Sequence, residues 1–280
     1  MRKYVLAALA VLATSTMFAQ VPAGPNRPGN VPEDYVITPF RHFHPSCVQT
    51  VAEGETLRLN GQVQHRDGTV TGNSSCNYTA YHPDGTPKVK GEKTPLPTIN
   101  GWIESTAITA PANKSYSAIY DTNTVPPTPA NFEGQTLFFF PGLEDINDTV
   151  SILQPVLIYN VSGWSVANYN CCLSGSIGVS TPIPVSRGDE IVSSITENCK
   201  PGTFTCPTWN VYSLDTKTRQ STSLLKTPSA GQTFNWAFGA VLEPYNVNVC
   251  ADYPSKPETH NMIVFDEQFK PVVPKWVVSE

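Results

Sequence analysis

Asp148-Thr-Val-Ser-Ile-Leu-Gln-Pro-Val-Leu-Ile-Tyr159 is a strand-like run in which a single carboxamide, Gln154, interrupts the apolar side chains. Phe234-Asn-Trp-Ala-Phe-Gly-Ala-Val-Leu-Glu-Pro-Tyr245 is a second such run, and it carries a carboxylate, Glu243. A carboxyl and a carboxamide on otherwise apolar strands are costly to hold unless they have partners. Outward from these two runs, strand candidates recur at intervals of about 10–15 residues, separated by Pro, Gly, Asn and Asp. They are Tyr116–Tyr120, Thr136–Phe140, Val150–Tyr159, Trp164–Cys171, Glu190–Thr196, Thr208–Leu214, Thr233–Leu242 and Met262–Phe265. No stretch of a dozen residues keeps helical spacing. Pro is 26 of 280 residues, well above the usual ~5%, and that density argues against long helices. Many short, evenly spaced strands predict an all-β fold, a sandwich or jelly roll of antiparallel sheets, rather than a βαβ fold.

The first nineteen residues suggest an exported protein. Arg2 and Lys3 precede an apolar stretch from Tyr4 to Leu12, and Met17-Phe18-Ala19 offers a cleavage site, so residues 1–19 are expected to be an export signal. No run approaches the ~20 apolar residues of a membrane span. Residues 20–37 are rich in Pro and Gly and are expected to form a mobile arm. The rest of residues 20–98 holds strand candidates at Thr56–Gln64 and Asn77–His82 and a Lys-rich stretch at Lys88–Lys93. This block is expected to be a pro-segment, a small β subdomain or extra strands on the main sheet. Residues 99–280 are expected to form the sandwich. Charged residues are 15% of the chain, so few ion pairs are exposed to acid, which hints at an acid habitat. A net charge of −5 leaves no basic patch for nucleic acid. A monomer is expected, with no partner beyond its substrate.

Seven cysteines in an exported chain should mostly pair. Cys199-Lys-Pro-Gly-Thr-Phe-Thr-Cys206 reads as a short closed loop. Cys47 with Cys76, and Cys171 or Cys172 with Cys250, are the other expected bridges, which leaves one of the vicinal pair free. No CxxC spacing supports a zinc site, and neither a metal nor a cofactor is expected.

An ordered set of short matches over residues 102–250 resembles the eqolisins, the glutamic peptidases. Trp102 falls where the family has its first-strand Trp, and Val125-Pro126 where a family strand closes. Phe140-Pro-Gly-Leu-Glu144 stands at the family's Trp-Val-Gly-Ile-Asp, with the family's spacing of twelve from Gly142 to Gln154. Ser151-Ile-Leu-Gln154, Ser186-Arg-Gly-Asp-Glu-Ile191 and Phe238-Gly-Ala-Val-Leu-Glu243 match later motifs. The resemblance implies a concanavalin-like β-sandwich and a secreted, acid-acting endopeptidase with Gln154 and Glu243 as its catalytic residues. Glu144, Tyr169 and Trp236 would contact a protein or peptide substrate, with packing in the core as the competing reading for Tyr169 and Trp236. Ala167-Asn-Tyr-Asn-Cys171 departs from the family's Ala-Trp-Tyr-Glu-Trp, so Asn168 and Asn170 stand where cleft-lining residues are expected.

Strand alternation places Val150, Ile152, Gln154 and Val156 on one face, and Val241, Glu243, Tyr245 and Val247 on one face. As general base, Glu243 would take a proton from water and return it to the leaving amine, and Gln154 would donate its amide hydrogen to the oxyanion. The rival reading is a non-catalytic β-sandwich that binds carbohydrate or a cell surface. In it Gln154 bonds backbone, and Glu243 faces solvent near an edge because Pro244 interrupts the ladder. His42-Phe-His44 has the alternation of a metal pair but no third ligand, so a surface or capping role is expected. Glu144, Asp145 and Asp148 crowd one loop and read as turn residues. No Gly-x-Ser-x-Gly elbow is present, which removes the common serine hydrolases.

Overall fold

Every residue of Thr136–Glu144 and of Ile152–Asn160 is buried, a pattern that needs cover on both faces of a sheet. The computed structural model describes residues 20–24, 26–89, 101–147, 150–256 and 260–279. The expected export signal, Asp148 and part of the Lys-rich stretch lie outside these residues. The strands of the N-terminal third are β1 (Val21–Pro22), β2 (Val36–Thr38), β3 (Arg41–Phe43), β4 (Val48–Val51), β5 (Thr56–Leu57), β6 (Val63–Gln64) and β7 (Val70–Thr71). Next come β8 (Glu104–Thr109), β9 (Tyr116–Thr124), β10 (Thr136–Glu144), β11 (Ile152–Asn160), β12 (Gly163–Leu173), β13 (Ser176–Ser180) and β14 (Ile183–Pro184). The last are β15 (Glu190–Glu197), β16 (Thr208–Asp215), β17 (Ser221–Pro228), β18 (Trp236–Tyr245), β19 (His260–Asp266) and β20 (Val277–Ser279).

The large sheet runs β20-β8-β18-β10-β11-β12-β13-β4, with β14 beside β12; the smaller one runs β17-β16-β15-β9-β19. Together they form an all-β sandwich of jelly-roll type. Pairing is antiparallel except where β4 lies parallel to β13 at the edge of the large sheet. Leu143, Leu153 and Ala237 from the large sheet meet Ile119, Ile195 and Val211 from the small one in the central core. Strands β15 and β16 alternate between buried and half-buried residues, since the outer face of the small sheet meets water.

The outer face of the large sheet is closed by a third layer. Ala23, Val36, Ile37, Phe40 and Phe43 pack there against Phe138, Phe140, Val156, Tyr169, Phe238, Val241 and Tyr245. The expected mobile arm is therefore a packed layer, because its scattered apolar residues cover a face that would otherwise stay wet. Within the same N-terminal third, Thr56–Gln64 is a hairpin of β5 and β6 rather than one strand. Asn77–His82 contributes only Tyr81, in isolated bridges to His42 and Pro87.

Disulfides join Cys47 to Cys76 and Cys199 to Cys206, as expected. The third joins Cys171 to Cys172, and Cys250 is free and exposed. This corrects the expected pairing of the vicinal cysteines with Cys250, which stands in a short 3-10 turn past the end of β18. Among the described residues no helix is long and apolar enough to cross a membrane.

Candidate functional site

Gln154 and Glu243 lie on the same face of the same sheet, the one closed by the N-terminal layer. Glu243 on β18 pairs across β10 with Phe138. The uniform β10–β11 register, from Leu137 opposite Tyr159 to Leu143 opposite Leu153, sets Gln154 opposite Gly142. Gln154 faces Tyr169 on its other side. A bulge at Gly239–Ala240, with Ala240 at φ 48°, leaves both Phe238 and Val241 on this face, so Trp236 and Glu243 share it despite odd spacing. Gly142 is required here because a Cβ would meet the Phe238 ring at 2.3 Å. Pro244 lies past the last β18–β8 pair, Leu242 with Glu104, where no ladder partner needs its missing N–H.

Glu243 is fully buried, not solvent-facing. The backbone N–H of Phe40 donates to both carboxylate oxygens, at 2.7 and 2.9 Å. The Tyr245 hydroxyl lies 2.7 Å from Oε1 and 3.2 Å from the Thr38 carbonyl, so its one proton serves either acceptor. Burial pushes the Glu243 carboxyl up to about 7. The Tyr245 hydroxyl, the Phe40 N–H, the nearby Trp102 indole and the Arg41 charge pull it down less strongly. Burial and the adjacent carboxylate hold the Tyr245 hydroxyl well above the usual phenol range.

Gln154 is equally buried, and neither amide atom has a hydrogen-bond partner among the described residues. An unsatisfied buried amide costs about 1–3 kcal/mol. Gln154 and Glu243 are separated by β10 and stand four residues out of register, about 13 Å along the strands.

Glu144 pairs with Trp236 at the end of β10, on the same face as Gly142. Tyr169 is buried beside Gln154, and burial raises its hydroxyl. Trp236 stacks on Trp102 with ring centroids 6.2 Å apart. It also lines a groove of about 780 Å³ with Ile108, Tyr116, Lys114 and Val272. All three residues expected to contact substrate therefore sit on or beside the face of Gln154.

Asn168 and Asn170 lie on the opposite face of β12 and bond to β17: Asn168 Nδ2 donates to the Thr222 carbonyl at 2.9 Å and Asn170 Nδ2 to Thr227 Oγ1 at 2.7 Å. They tie the two sheets together and do not line the face of Gln154, which corrects the expectation for them. His44 caps a short 3-10 turn by accepting from Ser46 N, as expected. His42 is not a surface residue. It is buried with its ring 5.1 Å from that of Tyr245, and burial lowers its pKa. Asp145 is a turn residue, accepting from the backbone N–H groups of Asn147 and Thr233. Among the described residues no group of three His, Cys, Asp or Glu could hold a metal.

Sequence reasoning missed Phe40. It stands in Thr38-Pro-Phe-Arg41, whose outer residues pair, so Pro39 and Phe40 form a two-residue turn with Phe40 at φ 79°. A type II turn places Gly or Asn there, and a Pro-Gly pair would have announced it.

Comparison with protein-family models and with curated proteins finds no match. Solved structures of similar shape include Scytalido-glutamic peptidase with a peptide-based transition-state analog, at 14% identity, 64% of this chain, 87% of that chain and a TM-score of 0.44. SCP-B, a member of the eqolisin family of peptidases in a complex with the tripeptide Ala-Ile-His, is 15% identical over 64% of this chain and 86% of that chain, with a TM-score of 0.42. A toad ovary galectin with thio-digalactose reaches 9% identity, 56% and 98% coverage and a TM-score of 0.29.

Proposed function

We propose that the protein is a secreted peptidase of the glutamic type, with Glu243 as general base and acid and Gln154 as oxyanion donor. The observation that carries this reading is the Phe40 N–H seated on both oxygens of a buried carboxylate. A peptide nitrogen of the chain itself lies within hydrogen-bond reach of that carboxyl, as a leaving amine would have to in the proposed mechanism. In the reaction, Glu243 removes a proton from water as the water attacks a peptide carbonyl. The oxyanion accepts from the Gln154 amide, the C–N bond breaks, and Glu243 returns its proton to the amine. Among the described residues Gln154 has no hydrogen bond to surrender in turning toward a substrate. Catalysis on a bound peptide requires the Thr38–Arg41 turn to lift away and the offset of about 13 Å between Gln154 and Glu243 to close, so that both reach one carbonyl.

The offset of Gln154 from Glu243 along the strands favours a second reading, a non-catalytic secreted β-sandwich that binds its ligand on this face. Cleavage of denatured casein from pH 2 to 8, with pepstatin present, separates the two. We expect activity that survives pepstatin and falls at least 100-fold in both Glu243→Gln and Gln154→Ala, in line with the loss of a base or an oxyanion donor. A folded wild-type protein and a folded Phe40→Ala variant that both cleave nothing across this range would leave the binding reading.

A further inference from the structure

We infer that the aromatic cage beside Glu243 is a subsite for an aromatic residue of a bound peptide, held in the resting protein by the chain's own Phe40. The Phe40 ring lies 5.6 Å from Trp102 and 6.0 Å from Phe140, tilted by 47° and 45° and within the centroid range of interacting aromatic pairs. Phe238, 5.0 Å from Trp102, closes the far side of the cage.

The turn that delivers this ring is built against local preference. A non-Gly residue at φ 79° carries backbone strain of order 1–3 kcal/mol, which persists only where surrounding contacts over-determine it. Those contacts include one N–H on Glu243 and one ring in the cage, beside the Tyr245 hydroxyl at the Thr38 carbonyl and the pairing of Thr38 with Arg41. The N–H and the ring depend on no neighbouring residue, so a peptide with an aromatic side chain reproduces those two. The i+2 N–H of such a turn is not used by the turn's own hydrogen bond, so it is available to a carboxylate. Trp236 connects the cage, through its stack on Trp102, to the open groove beside β8. The inference rests on the proposed function for the role of Glu243 in chemistry, but binding itself needs no catalysis.

The test uses the full chain and two labelled heptapeptides, Val-Ile-Thr-Pro-Phe-Arg-His and the same sequence with Ala for Phe, followed by fluorescence anisotropy. The Phe40→Ala variant is expected to bind the Phe peptide at least tenfold tighter than the Ala peptide, and at least tenfold tighter than wild type does. Equal affinity for the two peptides, or equal affinity of variant and wild type, overturns the inference. Hydrogen exchange on the wild type covers a variant that fails to fold. Excess Phe peptide should raise exchange across residues 36–43, and excess Ala peptide should not; no difference between them again overturns it. Binding with the aromatic preference but no cleavage removes the peptidase reading and keeps the subsite. Casein cleavage with no aromatic preference does the reverse.

Discussion

At the scale of single residues, the charge state of Glu243 couples the site to the closed layer. An ordinary carboxyl loses its proton near 4.5 in the unfolded chain, whereas burial holds that of Glu243 up to about 7. Folding therefore binds a proton between these values. The stabilisation is fully present below about 4.5 and is lost as pH rises through 7. The groups facing Glu243 are the Arg41 guanidinium and the Tyr245 hydroxyl, with the His42 ring against Tyr245. His42 works in the opposite direction. Its lowered pKa gives stability present above its ordinary value of 6.5 and lost as pH falls through the folded one. Glu197, also pushed up to about 7 by burial, adds a loss of the same sign as Glu243. Comparison with Glu243→Gln cancels both background contributions. Between pH 5 and 8 the wild type should lose more unfolding free energy than the variant, by on the order of 3 kcal/mol at most. Chemical denaturation at the two pH values measures it, and parallel losses would mean that Glu243 is not held neutral.

At the scale of elements, the hairpin of β2 and β3 carries the argument, and Phe40 separates two effects there. Replacing Phe40 with Ala removes the ring and should cost about 3–5 kcal/mol, as for buried Phe elsewhere. Replacing it with Gly removes the same ring but relieves the left-handed backbone, so it should be about 1 kcal/mol more stable than the Ala variant. Urea midpoints of the two variants test this; an Ala variant equal to or better than Gly would place Phe40 outside the strained region. The hairpin also marks where the sequence stops being legible. Thr136–Phe140 and Val150–Tyr159 announce themselves because long apolar runs bounded by turn residues have few other uses. Val36-Ile-Thr-Pro-Phe-Arg-His-Phe43 does not, because its turn lacks Gly and its strands are three residues each. Alternation correctly put Glu243 with Tyr245 and Gln154 with Ile152 on single faces. It could not count the bulge at Gly239–Ala240 in β18, which helps set how far apart along the strands the two polar groups fall. The partnership of Cys171 with Cys172 was equally hidden, since spacing alone favours bridges over longer loops.

At the scale of the whole molecule, the large sheet is sandwiched between two layers, and the N-terminal one is built into it. β4 extends the sheet edge beside β13, and the Cys47–Cys76 bridge anchors the chain on both sides of it. A pro-segment that is cut away leaves a finished surface behind. Here the surface beneath includes Phe138, Phe140, Ile158, Tyr169, Phe238 and Val241, each now buried. Their side chains would form one continuous apolar patch, of a size that monomeric proteins rarely expose. A chain beginning at Ser46 is therefore expected to bind a hydrophobic dye and to self-associate, seen by light scattering, whereas the Phe40→Ala chain should stay monomeric because only the turn is loosened. A truncated chain that remained monomeric and folded would instead identify residues 20–45 as a removable segment. The contrast locates where the site can open. Lifting the four-residue turn uncovers Glu243 and the aromatic cage at the cost of one ring, the Phe40 N–H and the Tyr245 contact to the Thr38 carbonyl, while peeling the layer back exposes the whole face. Access to Glu243 thus requires a local movement of the turn, with the rest of the layer remaining as the wall of the site.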